Sequence, residues 1–578
     1  MIRPILYKTF SALALAEVNR LEQSSKQPRE AQSAKLMSII STNAGSSFGA
    51  EHGFASIKSV EDYRRAVPIR EYEGFRPYVE RAVAGDRNVL TGEDPLMYAT
   101  TSGTAGAPKL IPVTAAYLKE FRLASTASGY HLLRCFPKID RGTTLSIVSP
   151  AEEGRTAGGT PYGAISGALF LSEPQLIRRF IAPIPYEVFL LKDYDSRYYT
   201  LLRLSLALPL SCFYTLNPST IALMSRRLKL HARELVKDVF DGTVTPPSVL
   251  PPSCQKALRP FLKPDRVRAR FLAALSDEGS FVPHRIWPEL QVVSCWTKAA
   301  ASFYLQDFPE FFGSTPICDI SYGASEGRGT VSIGPDKQML ALHSHFFEFI
   351  PEQEMAGESP QTLLADQLTS GQKYFILFTT SGGLYRYHIN DVVKVVGFHN
   401  QTPLLEFQYK GGNVHSFTGE KLSELQVTTA MAAALSEMGL KARFFTLVPQ
   451  FRPQPHYELW IEPEGNSYFD APQLGSGSDA DPVSEPGLCA CLLRLAQTLD
   501  KHLSLVNIEY QTKRESQRLE AISIKPLLPG SYERFRKMLS SRGTADAQIK
   551  VSHLNPKEET KNYFQDLLQP VGTIGTLH

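Results

Sequence analysis

Apolar positions in this chain fall into short runs separated by Gly, Pro and Asn. That pattern predicts buried strands alternating with amphipathic helices. Residues 96–99 and 110–113 read as strands on either side of a glycine-rich turn. Residues 144–148, 291–296 and 374–378 read as short strands buried on both faces. Asn217-Pro218 is a helix start, with asparagine as cap and proline in the first turn. Ile221, Met224, Leu228, Leu235 and Val239 then keep one apolar face, which core packing explains. Near the N-terminus, residues 10–16 are apolar. With Val18 and Leu21 they read as an amphipathic helix in preference to a short signal sequence. Residues 201–216 are interrupted by Arg203 and Pro209, so no membrane span is expected. Further on, residues 443–448 and 457–461 read as strands and 488–502 as a helix. Strands near 506–510 and 521–524 follow, then a helix capped by Ser531. Residues 473–486 form a Gly/Ser/Asp/Pro loop without chemistry, and no internal repeat is present.

The strongest chemical signal is TTSGTAGAPK at residues 100–109. Glycines let backbone N–H groups close around an anion, hydroxyls add donors, and the lysine adds a mobile positive charge. That equipment suits a nucleoside triphosphate, although an ordinary surface hairpin has the same composition. It is not a Walker A loop, because Pro108 precedes Lys109 and Leu110 follows it.

Two later strings add weight: YGASEG at 322–327 and YRYHINDVV at 385–393. The three together resemble the adenylate-forming superfamily. The longer string GLYRYHINDVVKVVGFHNQTPLLEF at 383–407 resembles the Gretchen Hagen three (auxin-responsive promoter) family of acyl acid amidosynthetases within it. The resemblance implies two half-reactions. A carboxylate attacks the α-phosphorus of ATP to give an acyl-adenylate and pyrophosphate. An amine, in this family an amino acid, then takes the acyl group and expels AMP. It implies that backbone around Ser102, Gly103, Thr104 and Gly106 cradles the β- and γ-phosphates, with hydroxyls from Thr101, Ser102 and Thr104. Lys109 has a more structural part. Tyr322 offers its ring to adenine and Gly323 leaves space beside it. Ser325 lies near the α-phosphate, Glu326 holds Mg²⁺, and Asp391 accepts from both ribose hydroxyls; Tyr387 opens the Tyr-x-x-x-Asp segment. Lys421, in GEKLSELQ at 419–426, is a candidate phosphate or ribose contact. Lys550, in Gln548-Ile549-Lys550, would neutralise the adenylation transition state.

Some positions depart from the family pattern. Asn390 stands where the superfamily usually has glycine before the ribose aspartate; asparagine tolerates positive φ, so the turn survives. Ala324 replaces one of two serines common in plant members. Val551, Ser552 and His553 follow Lys550 where Pro-Arg is usual. Residues 155–163, RTAGGTPYG, border the acid pocket in the family and read equally as a surface loop. A coenzyme A ligase shares the first half-reaction, and a non-catalytic nucleotide-binding homologue shares the fold.

The fold class expected is α/β: a large multi-sheet N-terminal domain, residues 1–410, and a smaller α+β C-terminal domain, 411–578, movable at Gly411-Gly412. A length of 578 residues agrees with two unequal domains. A net charge of +3 indicates neither nucleic acid nor an anionic membrane as partner. The basic stretch at 256–270 reads as a solvated face. Seven cysteines, an odd number without Cys-x-x-Cys, argue against a disulfide framework or zinc site and suit a reducing cytoplasm. No His-Glu-x-x-His occurs, which removes metalloprotease chemistry. A monomer acting on a small carboxylic acid and an amine is the expectation.

Overall fold

The computed structural model describes residues 2–101, 109–355, 360–411, 414–415, 420, 422–451, 455–464, 485–542, 544, 549 and 551–569. The chain divides into two compact units, one of residues 1–408 and 543–548, the other of 409–542 and 549–578.

Three main sheets build the first unit. One is parallel, in the order Thr143–Ser146, Leu210–Tyr214, Val292–Cys295, Ile317–Asp319. Parallel neighbours need crossover connections, and helices such as Tyr194–Leu206 and Pro218–Leu230 supply them. The Asn217 side chain accepts from the Ser219 N–H at 3.0 Å, as the cap reading requires. The helix stops at Leu230, and a second runs over Ala232–Asp241 to Gly242 at φ 71°. The apolar stripe from Ile221 to Val239 is therefore buried by two helices, where one was expected.

The second sheet has six antiparallel strands, in the order Thr330–Gly334, Lys337–Leu340, Thr402–Lys410, Tyr387–His399, Lys373–Thr379, Phe346–Pro351. Phe347, Ile376, Phe378, Val393 and Leu405 fill its core. The third is small, in the order Lys109–Val113, Met97–Thr101, Pro161–Gly163, Gly154–Arg155. It places residues 155–163, as a hairpin, beside the strand that leads into residues 100–109. The N-terminal apolar run lies in helix Ile2–Ser24, with Ala14, Glu17 and Leu21 buried.

Beside the six-stranded sheet lies a buried ion cluster. Glu348 accepts from Arg386 Nε at 2.8 Å and Nη2 at 3.1 Å, from Arg64 Nε at 2.9 Å and from Thr362 Oγ1 at 2.6 Å. Arg386 itself holds φ 48°, a left-handed value unusual for a long side chain.

In the second unit, strands Ala442–Gln450, His456–Pro463 and Ser523–Pro526 form a mixed sheet, with helices Glu424–Met438 and Glu485–Val506. Two expectations are corrected here. Residues 506–510 are not a strand: Asn507 accepts from the Tyr510 N–H at 2.9 Å and starts helix Ile508–Glu515, so a cap prevails over an alternating pattern. Ser531 is not the cap of helix Ser531–Ser541, and that helix is not the last, since Glu558–Gln565 follows it. Gly530 holds the cap position at φ 78°, and Glu462 accepts from the Gly530 and Tyr532 N–H groups at 2.8 Å each. A carboxylate from a distant strand does the work of a local hydroxyl. No helix among the described residues is long and apolar enough to cross a membrane.

Candidate active site

The YGASEG string folds as a tight hairpin. Gly323–Ala324 pairs with Gly327–Arg328, leaving Ser325 and Glu326 at the turn. Two glycines allow its close seating. A Cβ on Gly327 would stand 2.6 Å from the Phe378 ring, and one on Gly329 would stand 2.2 Å from the Tyr322 ring. From helix Ala115–Cys135, Tyr117 donates to the Ser325 carbonyl at 2.8 Å. From beneath, the Arg328 N–H donates to His345 Nε2 at 2.9 Å. Burial holds His345 well below its ordinary pKa, so it is the neutral acceptor this bond needs.

Asp391 is aimed by a bulge. Phe375 pairs with Val392 and Leu377 with His388, so four residues on one strand span two on the other. Within that excess Asn390 sits at φ 66°, the conformation asparagine was expected to tolerate. Tyr322 Oη donates to Asp391 Oδ2 at 2.6 Å. Tyr387 Oη reaches Glu326 Oε1 at a long 3.5 Å. Both carboxylates are only 6% exposed. Burial, then Asp391 and Glu326, push the Tyr322 phenol well above its ordinary range. Burial, then Glu326 and Asp391, do the same for Tyr387. The two phenols are therefore neutral donors to two buried carboxylates.

The Tyr322 ring lies parallel to Phe407, with centroids 5.5 Å apart and planes at 9°. One face of the ring expected to meet adenine is thus taken by Phe407. Thr101 pairs with Lys109, the pair of the first hairpin that adjoins residues 102–108 in sequence. Lys109 Nζ stands 5.4 Å from the centre of the Tyr72 ring. Of the other residues expected at the site, Ser102, Gly103, Thr104, Gly106, Lys421 and Lys550 lie outside the described residues.

Among the described residues no three His, Cys, Asp or Glu side chains gather as a metal cage. A buried carboxylate such as Glu326 suits Mg²⁺, which takes its remaining oxygens from phosphates and water. Sequence reading missed Tyr117, His345, Arg328 and Phe407. Tyr117 and His345 lie far from the motifs and Phe407 reads locally as core, so only the fold reveals them, whereas Arg328 directly follows the YGASEG string and its place there was the one available signal.

One titrating neighbour carries a prediction. Burial pushes Glu153 up to about 7, against a 3.4 Å hydrogen bond from Thr100 Oγ1. Its folded pKa lies above its unfolded one, so its contribution is fully present below the unfolded value. That contribution is lost as pH rises through about 7. Glu153→Gln is expected to remove that decline. The melting temperature of the variant minus that of the wild type should grow from pH 5 to pH 8 in parallel scans. A constant difference would mean that Glu153 is ionised as in water.

Three family models match the chain: the GH3 family N-terminal domain over residues 17–317, its central domain over 338–410 and its C-terminal domain over 425–559. An indole-3-acetic acid-amido synthetase, GH3.3 of Arabidopsis thaliana, is 22% identical over 557 residues, covering 92% of this chain and 90% of that protein. A jasmonoyl–L-amino acid synthetase, JAR4 of Nicotiana attenuata, is 24% identical over 557 residues, covering 92% of each. Among solved structures, the GH3.15 acyl acid amido synthetase superposes with a TM-score of 0.81 at 20% identity, covering 96% of both chains. The three models follow one another in order and together match well over half of the chain, and the chain belongs to the GH3 family.

Proposed function

We propose that this protein is an ATP-dependent acyl acid amidosynthetase. It activates a small carboxylic acid as an acyl-adenylate and conjugates it to an amine, an amino acid being the natural acceptor. The observation that carries this reading is the pair of buried carboxylates, Glu326 and Asp391. Each accepts from a neutral phenol of the neighbouring motif, Asp391 from Tyr322 and Glu326 from Tyr387, so the two later motifs meet in one place. Two anionic reactants must meet in such a site, so positive charge and backbone donors have to offset their repulsion. In the proposal, residues 101–106 and Lys109 receive the triphosphate, and Tyr322 and Gly323 border the base. Ser325 faces the α-phosphate and Asp391 takes the ribose. Glu326 holds Mg²⁺, which when bound offsets phosphate charge. Lys421 and Lys550, in the smaller domain proposed at residues 411–578, are proposed to serve the adenylation step.

The test is a pyrophosphate-release screen over aromatic, fatty and hydroxy acids, with product mass read in the presence of amino acids or coenzyme A. Acid-dependent release with an amide product supports the reading. A thioester product would replace it with a coenzyme A ligase, and no release with any acid would leave a binding protein. Asp391→Ala is expected to raise the dissociation constant for ATP about ten-fold or more, since charge-assisted hydrogen bonds are worth roughly 1.5–3 kcal/mol. Tyr322→Phe keeps the carboxylate and is the control for disturbance of the ring. Equal ATP affinity in folded Asp391→Ala, by calorimetry, would remove the ribose assignment.

A further inference from the structure

Arg328 follows Gly327 in the hairpin that carries Glu326, and among the described residues its guanidinium meets no counter-charge. The residue is 5% exposed. Its backbone N–H serves His345, yet among the described residues no acceptor meets its side-chain nitrogens, and Nε is fully enclosed. Other deeply buried arginines of this unit are answered: Arg386 by Glu348, and Arg203 by the carbonyls of Asp238 and Thr243. Around Arg328 the neighbours are aromatic. The Phe121 ring centre lies 5.5 Å from its Cζ. Burial lowers its pKa and, among the described residues, only Tyr214 opposes that.

The side chain folds across Gly323, where a Cβ would stand 3.3 Å from Arg328 Cδ and 3.7 Å from Nη1. It therefore lies between helix Ala115–Cys135 and the hairpin whose turn holds Ser325 and Glu326. A guanidinium withdrawn from water without a partner is strongly unfavourable. Its fork of N–H donors matches a carboxylate bidentately.

We propose that Arg328 is the specificity-determining residue for the acid substrate, pairing with a carboxylate that the acid brings. The proposal rests on the amidosynthetase reading and names the chemistry its acid site selects. The Phe121 ring beside the guanidinium suits a small organic acid. A polyphosphate needs several cations, and the described neighbours of Arg328 supply none. The carboxylate is either the one to be activated or a second acidic group.

The experiment compares wild type with Arg328→Met, close in length and uncharged, and with Arg328→Lys. Probes are phenylacetate with 1,4-phenylenediacetate, octanoate with octanedioate, and whichever acid of the screen is most active. Pyrophosphate release is followed with ATP and glycine. No acid-dependent release by wild type overturns the amidosynthetase reading and this proposal with it. If wild type is active, Arg328→Met should raise KM for the acid about ten-fold or more, with KM for ATP and for glycine changed by less than about two-fold. Arg328→Lys should recover part of the loss. An equal rise for monoacid and diacid assigns the reacting carboxylate, and a rise for the diacid alone assigns the second acidic group. Unchanged acid KM values, or a rise confined to ATP or glycine, overturn the proposal while leaving the amidosynthetase reading intact. The melting temperature of Arg328→Met should equal or exceed that of wild type, because an uncompensated buried charge is removed. A lower melting temperature with all three KM values raised alike would mark a structural arginine and overturn the proposal.

Discussion

Glu326→Gln is expected to fold normally and to lose about 10²-fold or more of acid-dependent pyrophosphate release, the scale of removing one preorganised electrostatic contact from a closed site. Glutamine preserves shape and keeps an oxygen that can accept from Tyr387, so the loss isolates charge. The position leaves little freedom for compensation. Glu326 sits in a two-residue turn, is 6% exposed, and belongs to a hairpin pinned by Tyr117 on one side and His345 on the other. A melting curve like that of wild type checks the fold. Release that is unchanged at saturating Mg²⁺ would show that the charge needed for activation lies elsewhere.

Glu348→Ala is expected to lower the unfolding free energy by roughly 3–5 kcal/mol, the usual cost of stranding the partner of a buried ion pair. Here two guanidiniums lose their acceptor, since Glu348 serves both Arg386 and Arg64. Arg386 also donates to the carbonyls of Arg64 and Val67 at 3.1 and 2.9 Å. It therefore ties the segment after helix Val60–Ala66 to the strand that carries Tyr387 and Asp391. Urea titration reads the loss as a lower midpoint. A shift near zero would mean that water reaches the cluster and screens it. A double variant, Glu348→Leu with Arg386→Met, should recover much of the stability, because an apolar replacement of a buried pair is often neutral.

The buried strands were legible because each is a short apolar run bounded by turn residues. Residues 374–378 and 457–461 fall inside the observed strands Lys373–Thr379 and His456–Pro463. Asn217 was legible because its cap is local, and so was the turn at Asn390, because few residues hold positive φ. What failed was decided at a distance. The cap of helix Ser531–Ser541 comes from Glu462, roughly 70 residues upstream. The break at His231 leaves the apolar stripe intact, so periodicity alone does not reveal it. The motif residues Tyr322, Glu326 and Asp391 could be named from their strings. Their wiring through Tyr387, Tyr117 and His345 depends on the fold bringing separate strands and one helix together.

Phenols pushed above their ordinary range have a kinetic consequence. An amine attacks only as its free base, so conjugation gains from alkaline conditions. The Tyr322–Asp391 contact keeps its proton on the phenol throughout that range. In the proposed site that contact therefore keeps its donor while the nucleophile changes its own protonation. A rate that climbs with pH would then report the amine substrate.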